Sequence, residues 1–386
     1  MSVNVAKHRG LCYYIIMIID IFDISAEGEG IGKLDGKIVF VPHALPGESV
    51  EIEITEEKEK FAKGRRLGDK PVCGGCPLVK YPYDKQLAWK EKHVRDCLER
   101  IAKLDSPKIN PIVGMDNPFA YRNKCEFKIG EGLPYCNLDC VDCPIQDDLT
   151  KEIVAKFKAN PTKNAEELVV RTTQTGEHMA YTIQHSGYVL LYSGENIIHD
   201  YIETDMGKLT VEVDPFSFYQ VNPTQTSKLY SLAQKYAAPG EDDTILDLYC
   251  GCGSIGLSMA GHARRVIGVE SVKSAVLLAN RNAVLNRIVN ATFVCGKAET
   301  AVAEKLQGVN ADIVILDPPR AGCKESLIKT VEEIGPDRIV YISCNPSTLA
   351  RDIARFKNYK FIEATPVDMF PHTAHVETVA LLSKLF

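Results

Sequence analysis

Apolar and polar positions alternate with period two from Ile18 to about Lys70, in short runs such as IIDIFDIS, KIVFVPHAL and ESVEIEITE. Gly28, Gly30, Gly32, Gly36 and Gly47 punctuate these runs. Period two marks half-buried strands, and the glycines mark the reversals between them. Five or so short strands in about fifty residues predict a small barrel of the OB type. A cysteine-rich junction, VCGGCPL, precedes a helix predicted from about Asp84 to Leu104. Between Asn117 and Thr204, the runs EELVVRTT, MAYTIQ and YVLLYS alternate like strands of a sheet with one covered face. From Thr244 the pattern changes. TILDLYC, RVIGVE, ATFVCG, ADIVILD and RIVYIS are short apolar runs, most of them separated by helical stretches, which predicts a doubly wound parallel sheet. The expected fold class is therefore α/β. It comprises an OB-like barrel over 17–72, a central β-rich, cysteine-bearing domain over 73–213, and a C-terminal Rossmann-like domain over 214–386.

Composition adjusts this picture in two places. Hydrophobic residues make up 45% of the 386 positions and charged ones 25%, ordinary values for a soluble globular protein. The net charge of −6 means that a polyanionic partner must be held by local basic patches against the overall field. The thirteen cysteines are an odd number, and several form close pairs (Cys73/Cys76, Cys140/Cys143, Cys250/Cys252). In a chain this long such pairs suit metal or thiol chemistry in a reduced, cytoplasmic protein better than a secreted disulfide scaffold. Leu11 to Ile19 is apolar and follows Lys7 and Arg9, like a secretory signal, but Asp20 and Asp23 interrupt it and no small-residue cleavage site follows. It is also shorter than the roughly 20 apolar residues a membrane span needs. Met17 is the expected start, with 1–16 as an upstream extension; the alternative is an apolar strand docked on the barrel.

The strand TILDLYC runs into the glycine-rich turn CGCGSIG and then into a helix expected near Ser254. Glycines there let the backbone approach a ligand at the carboxyl ends of the strands, and Glu270, at the end of VIGVE, is placed to accept the ribose hydroxyls of an adenosine. Gly251, Gly253 and Gly256 also fit the dinucleotide spacing G-x-G-x-x-G, so the glycines alone leave NAD and S-adenosylmethionine open. Asp247 favours the latter, because a carboxylate repels a pyrophosphate and attracts a sulfonium.

ADIVILD ends in Asp317-Pro318-Pro319-Arg320. Methyltransferases acting on exocyclic amines carry an aromatic residue after the two prolines, so Arg320 argues against an adenine or cytosine amine. RIVYIS delivers Cys344 between a strand end and a helix start, where the helix dipole is expected to favour the thiolate; a buried structural cysteine is the plainer alternative. Carbon 5 of uracil becomes nucleophilic once a thiolate adds at carbon 6. Release of the product then needs a base for the carbon-5 proton. Glu377 heads an apolar strand and should be partly desolvated with a raised pKa, and His372 and His375 lie close in sequence.

FYQVNP, DLYCGCGSIG, GVE, LDPPR, SCNP and HTAHVE occur in this order, and over about residues 17 to 386 the chain resembles the RNA uracil-5-methyltransferase family. The resemblance implies S-adenosylmethionine as cofactor, contacted by Gln220, Tyr249, Glu270 and Asp317, with Cys344 as nucleophile and Glu377 as base. It implies RNA as partner, 23S ribosomal RNA ahead of the T-loop uridine of tRNA, and identifies the barrel with the family's TRAM domain. Tyr121-Arg122-Asn123-Lys124 matches a segment that lies against RNA in the family. Ribosomal members hold a four-iron cluster with C-x5-C-x2-C and a distant cysteine before proline. Cys73 and Cys76 match the central pair and Cys143 the distant one, while Leu67 stands where the first ligand belongs. Cys140 or Cys136 is the expected substitute, in a 4Fe–4S cluster or a zinc site. The Cys136-x3-Cys140-x2-Cys143 spacing of radical S-adenosylmethionine enzymes is set aside because it lies within a β-rich insert. Basic residues gather at Lys58, Lys60, Lys63, Arg65 and Arg66, as a phosphate grip or as solvated surface. Two rival classes are an amine-directed methyltransferase, opposed by Arg320, and a non-catalytic RNA-binding factor, opposed by Cys344 and Glu377. No membrane or protein partner is implied.

Overall fold

The computed structural model describes residues 4–5, 15–68, 74–129, 143–187, 189–305 and 308–385, so Cys73, Cys136 and Cys140 lie outside the described residues. The N-terminal strands are β1 (Asn4–Val5), β2 (Ile15–Ile24), β3 (Gly30–Leu34), β4 (Lys37–Val41), β5 (Ser49–Glu57) and β6 (Phe61–Arg66), in the order β1-β2-β3-β4-β6-β5. Pairing of β2 with β5 closes β2 to β6 into a five-stranded barrel. Alternation explains the closure: Ile19, Ile21, Val39, Val41, Val50 and Ile52 all point into one small core. Gly30 is required by close approach, since a Cβ there would meet the Ala44 carbonyl oxygen at 2.5 Å.

Helix α1 (Tyr83–Arg100) is more than a connector. Val94 and Leu98 share a core with Leu349, Ile353 and Ala364 of the C-terminal domain. Strands β7 (Lys124–Lys128), β8 (Ala165–Thr172), β9 (His178–Gln184) and β10 (Val189–Gly194) form an antiparallel sheet in the order β10-β9-β8-β7. Helix α2 (Asp148–Ala159) covers one face through Ile153 and Phe157 against Phe127 and Leu168. The other face sends Val169, Met179 and Tyr181 into the C-terminal core. The hairpin β11 (Ile198–Thr204)–β12 (Gly207–Val213) buries Ile198, Ile202 and Val211 in that same core.

The C-terminal domain runs α3 (Pro223–Ala237), β13 (Thr244–Leu248), α4 (Ser254–Met259), β14 (Arg265–Glu270), α5 (Lys273–Leu285), β15 (Ala291–Cys295), α6 (Ala298–Lys305), β16 (Ile313–Leu316), α7 (Glu325–Ile334), β17 (Arg338–Ser343), α8 (Pro346–Ile353), β18 (Tyr359–Val367) and β19 (Glu377–Lys384). Its sheet has the order β15-β14-β13-β16-β17-β19-β18, with β19 antiparallel to both neighbours. Helices cover both faces, so the central strands are mostly apolar, as in Ile245, Leu246 and Leu248, with Asp247 a buried exception. The strand order reverses between β13 and β16, which opens a crevice at the carboxyl ends of these strands. Among the described residues, no helix is long and apolar enough to cross a membrane.

Candidate active site

Four loops meet at that crevice. The turn after β13 begins with Tyr249 at φ +66°, and its N–H donates to the Val269 carbonyl at 2.9 Å. Gly251 and Gly253 also have positive φ. A Cβ at Gly253 would strike Phe293 at 2.7 Å, whereas one at Gly251 would meet nothing within 4 Å. Gly253 is thus glycine for packing, and Gly251 faces open space. Glu270, at the end of β14, accepts from the Gly251 N–H at 3.2 Å and the Val272 N–H at 2.8 Å. Asp247 lies fully buried under the turn and accepts from the Gly256 N–H at 3.0 Å, and its second oxygen has no partner. Burial, then the nearby Asp317 and Glu270 charges, pushes the Asp247 carboxyl up to about 8. Burial likewise raises half-buried Asp317 to about 7. Three carboxyl groups around one crevice, one with an orphaned oxygen, suit a sulfonium cation and oppose a pyrophosphate.

Gln220, the fourth residue expected at the cofactor, is buried just before α3. Its carbonyl accepts from the Asn123 side chain at 3.1 Å, while the Asn222 side chain donates to the Met369 carbonyl at 3.2 Å. The FYQVNP turn is thereby tied to the loop that leads to Glu377. Tyr121 donates to the Pro371 carbonyl at 3.1 Å, so Tyr121 and Asn123 brace the site from the central sheet.

Cys344 and Glu377 meet through strand register. Ser343 of β17 pairs with Thr378 of β19, so the next antiparallel step sets Cys344 opposite Glu377. Glu377 is buried with one oxygen lacking a partner, and burial, reinforced by Asp317 and opposed by Arg320, pushes its carboxyl up to about 8. The upward shift anticipated from sequence for the Glu377 carboxyl thus agrees with its burial. The stabilised thiolate expected at Cys344 is not found. Burial, then Glu377 and Asp317, pushes the Cys344 thiol up to about 11, with Arg320 pulling the other way. Arg320 lies near His375, at 3.2 Å from its Nε2. Burial and that guanidinium lower His375 to about 4, leaving it a neutral imidazole.

Several supporting residues carried no sequence signal. Lys90 of α1 and Asp368 are both fully buried and paired at 2.5 Å, and Lys90 also donates to the Phe370 carbonyl at 3.0 Å. Tyr83 donates to the other Asp368 oxygen at 2.8 Å. Gln86 accepts from the His372 N–H at 2.9 Å. Helix α1 thus anchors the segment 368–372, just ahead of Glu377. An internal lysine on an amphipathic helix reads as solvent-facing until a buried carboxylate is known to lie opposite.

One expectation from sequence changes in the structure, and another falls partly outside the described residues. At the barrel, Arg65 pairs with Glu53, Arg66 with Glu48 at 2.8 Å, and Lys58 with Glu56 at 2.9 Å. The run read as a candidate phosphate grip is therefore largely compensated by acids on the paired strand β5 and the turn before it. Of the expected metal ligands, Cys76 and Cys143 lie in one small cluster with Tyr121 and Ile145, while Cys73, Cys140 and the alternative Cys136 lie outside the described residues. Among the described residues, no three ligating side chains form a metal-holding group.

Comparison with known proteins agrees with this geometry. Residues 189–385 match the family described as tRNA (Uracil-5-)-methyltransferase, and residues 17–67 match the TRAM domain. An uncharacterized RNA methyltransferase of Halalkalibacterium halodurans is 34% identical, covering 95% of this chain and 96% of its own. One from Staphylococcus aureus is 36% identical, covering 94% and 97%. The crystal structure of Pyrococcus abyssi tRNA (uracil-54, C5)-methyltransferase with S-adenosyl-L-homocysteine superposes with a TM-score of 0.74 at 26% identity, covering 95% of this chain and all of that one. The chain belongs to the tRNA (uracil-5-)-methyltransferase family, and it is an S-adenosylmethionine-dependent RNA (uracil-5-)-methyltransferase with an N-terminal TRAM domain.

Proposed function

We propose that the chain forms 5-methyluridine through a covalent adduct in which Cys344 adds to carbon 6 of the uracil and Glu377 removes the carbon-5 proton. The observation that carries this reading is the step of register that sets Cys344 opposite a buried Glu377 with an unpartnered oxygen. Bond formation between Sγ and carbon 6 moves the ring π electrons onto the carbonyl as an enolate and makes carbon 5 nucleophilic. S-adenosylmethionine supplies the methyl group as an electrophilic sulfonium. Glu377 then takes the carbon-5 proton, and Sγ leaves as the ring double bond re-forms. Because burial raises the Cys344 thiol to about 11, it is protonated at rest, and its proton passes to water as Sγ adds to carbon 6 and the ring electrons move onto the carbonyl. Gln220, Tyr249, Glu270 and Asp317 are the proposed cofactor contacts, supported by their convergence on the crevice.

The target uridine must leave its stack to reach Sγ. For the substrate we favour a uridine of 23S ribosomal RNA in the cytoplasm, supported by the cysteine pattern. Likeness to the Pyrococcus tRNA (uracil-54, C5)-methyltransferase favours the second reading, a tRNA T-loop uridine. A 4Fe–4S cluster on Cys73, Cys76, Cys143 and Cys140 belongs to this proposal. Its structural support is the grouping of Cys76 with Cys143. The proposed division of labour follows the domains at 17–72, 73–213 and 214–386, with the chemistry in the third. Mapping 5-methyluridine by mass spectrometry in RNA from a deletion strain and its parent tests the assignment. Loss of one site in 23S RNA is the expected result, loss in tRNA selects the second reading, and an unchanged map refutes both.

A further inference from the structure

We infer that Lys297, Lys324, Arg351 and Arg355 form a phosphate-binding track for the RNA strand that flanks the target uridine. The inference rests on the RNA reading above and adds a site to it. A cavity of about 480 Å³ opens beside the DPPR loop. Tyr249, Val269, Ser271, Ala298 and Pro319 line it on the cofactor side. The four cations also line it, and they come from three different places in the fold. Lys297 precedes α6, Lys324 caps α7, and Arg351 and Arg355 stand four residues apart along α8 and its end.

Their charge is not balanced locally. Lys324 pairs with Glu299 at 3.3 Å. Arg351 and Arg355 share one carboxylate, Asp352, at 2.8 and 3.3 Å. The other Asp352 oxygen already accepts from the Cys323 N–H and the Tyr341 hydroxyl, each at 2.8 Å. Among the described residues, Lys297 has no carboxylate partner. Four positive charges therefore face two negative ones, in a protein whose net charge is −6. At the barrel, by contrast, each arginine has its own acid, Arg65 with Glu53 and Arg66 with Glu48 at 2.8 Å.

Position supplies the second argument. Helix α8 starts two residues after Cys344, and at about 1.5 Å per residue Arg351 lies about 10 Å along the chain from the nucleophile. The Asn345 and Thr348 side chains both donate to the Arg320 carbonyl, at 3.4 and 3.2 Å, and Arg351 donates to the Ala321 carbonyl at 2.8 Å. Rim and nucleophile are thus parts of one braced unit. A flipped uridine stays joined to a phosphate on each side, and a surplus of cations beside the pocket gives one of those strands a favourable exit.

The test uses the full chain saturated with S-adenosylhomocysteine and a fluorescein-labelled oligouridylate as probe, with binding followed across a salt titration. Each phosphate contact to a single strand contributes about 0.7 to the slope of log affinity against log salt. Lys324→Ala/Arg355→Ala should lower the slope by about 1.4. It should leave S-adenosylhomocysteine affinity unchanged. Lys297→Ala/Lys324→Ala, which spares Asp352, should do the same and covers the case in which the first variant folds poorly. Arg65→Ala/Arg66→Ala is the control and should change the slope by less than one contact's worth. An unchanged slope in folded rim variants overturns the track. A matching loss of S-adenosylhomocysteine affinity also overturns it, because the cations would then serve the cofactor. If the slope falls as expected while the wild-type chain makes no 5-methyluridine, the track stands and the uridine reading fails.

Discussion

Replacing Glu377 with glutamine separates the two halves of the proposed reaction. Attack by Cys344 and methyl transfer do not need the carboxylate, whereas release does, so methylated protein–RNA adduct should accumulate with ordinary RNA. Burial sets the magnitude. A carboxyl raised from 4.5 to about 8 is about one-tenth ionised at pH 7. Wild-type release, followed as tritium lost from carbon 5 in a single turnover, should therefore rise about tenfold per pH unit up to about 8 and then level off. The Gln variant should show slow release with no such rise. The same burial makes a stability prediction of definite sign. Because the folded protein holds this proton more tightly than the unfolded chain, rising pH between 4.5 and about 8 works against folding at this site. Glutamine removes that penalty. At about 1.4 kcal/mol per pH unit, Glu377→Gln should gain about 3 kcal/mol at pH 7, read by chemical denaturation, and almost nothing below pH 4.5. Wild-type release kinetics in the Gln variant, or a flat wild-type profile from pH 6 to 8, would remove Glu377 from the base role.

With RNA containing 5-fluorouridine, elimination is blocked, so wild type should form a stable adduct visible on a denaturing gel and Cys344→Ala should form none; equal cross-linking would exclude Cys344. Binding of S-adenosylmethionine should release protons near pH 7 and tighten as pH rises towards 8, because a sulfonium favours the ionised forms of Asp247 and Asp317, whose carboxyls sit at about 8 and about 7. Calorimetry in buffers of different ionisation enthalpy checks this, and proton uptake would contradict it. Lys90→Met should cost about 3–5 kcal/mol by leaving Asp368 buried without its cation. A denaturant midpoint equal to wild type would show that the pair is dispensable. Anaerobically purified protein should carry about four irons per chain, and Cys143→Ser should lose them; stoichiometric zinc in colourless protein would replace the cluster with a zinc site.

Much of this architecture is legible in the sequence because it is local. Period-two alternation with glycine punctuation marks the barrel strands, and the change to apolar runs separated by helical stretches marks the doubly wound sheet. The glycine turn, Asp317 and Cys344 each sit directly after a strand, so their placement at the carboxyl ends of the sheet follows from parallel topology alone. Glu377 is legible as the head of an apolar strand, but it reaches the same edge only because β19 runs antiparallel to β17. What the sequence could not decide depends on partners distant along the chain. The Cys344 thiol rises to about 11 because the fold buries it and then, with β19 inserted beside β17, adds the charge of Glu377. Lys90 is internal because Asp368, far along the chain, is buried against it. The barrel arginines are compensated because register pairs β6 with the acids of β5, while the rim cations at α8 are not, because Arg351 and Arg355 share a single carboxylate. Periodicity reports which face of an element is covered. Charge and proton affinity depend on what covers it, and only the tertiary fold supplies that.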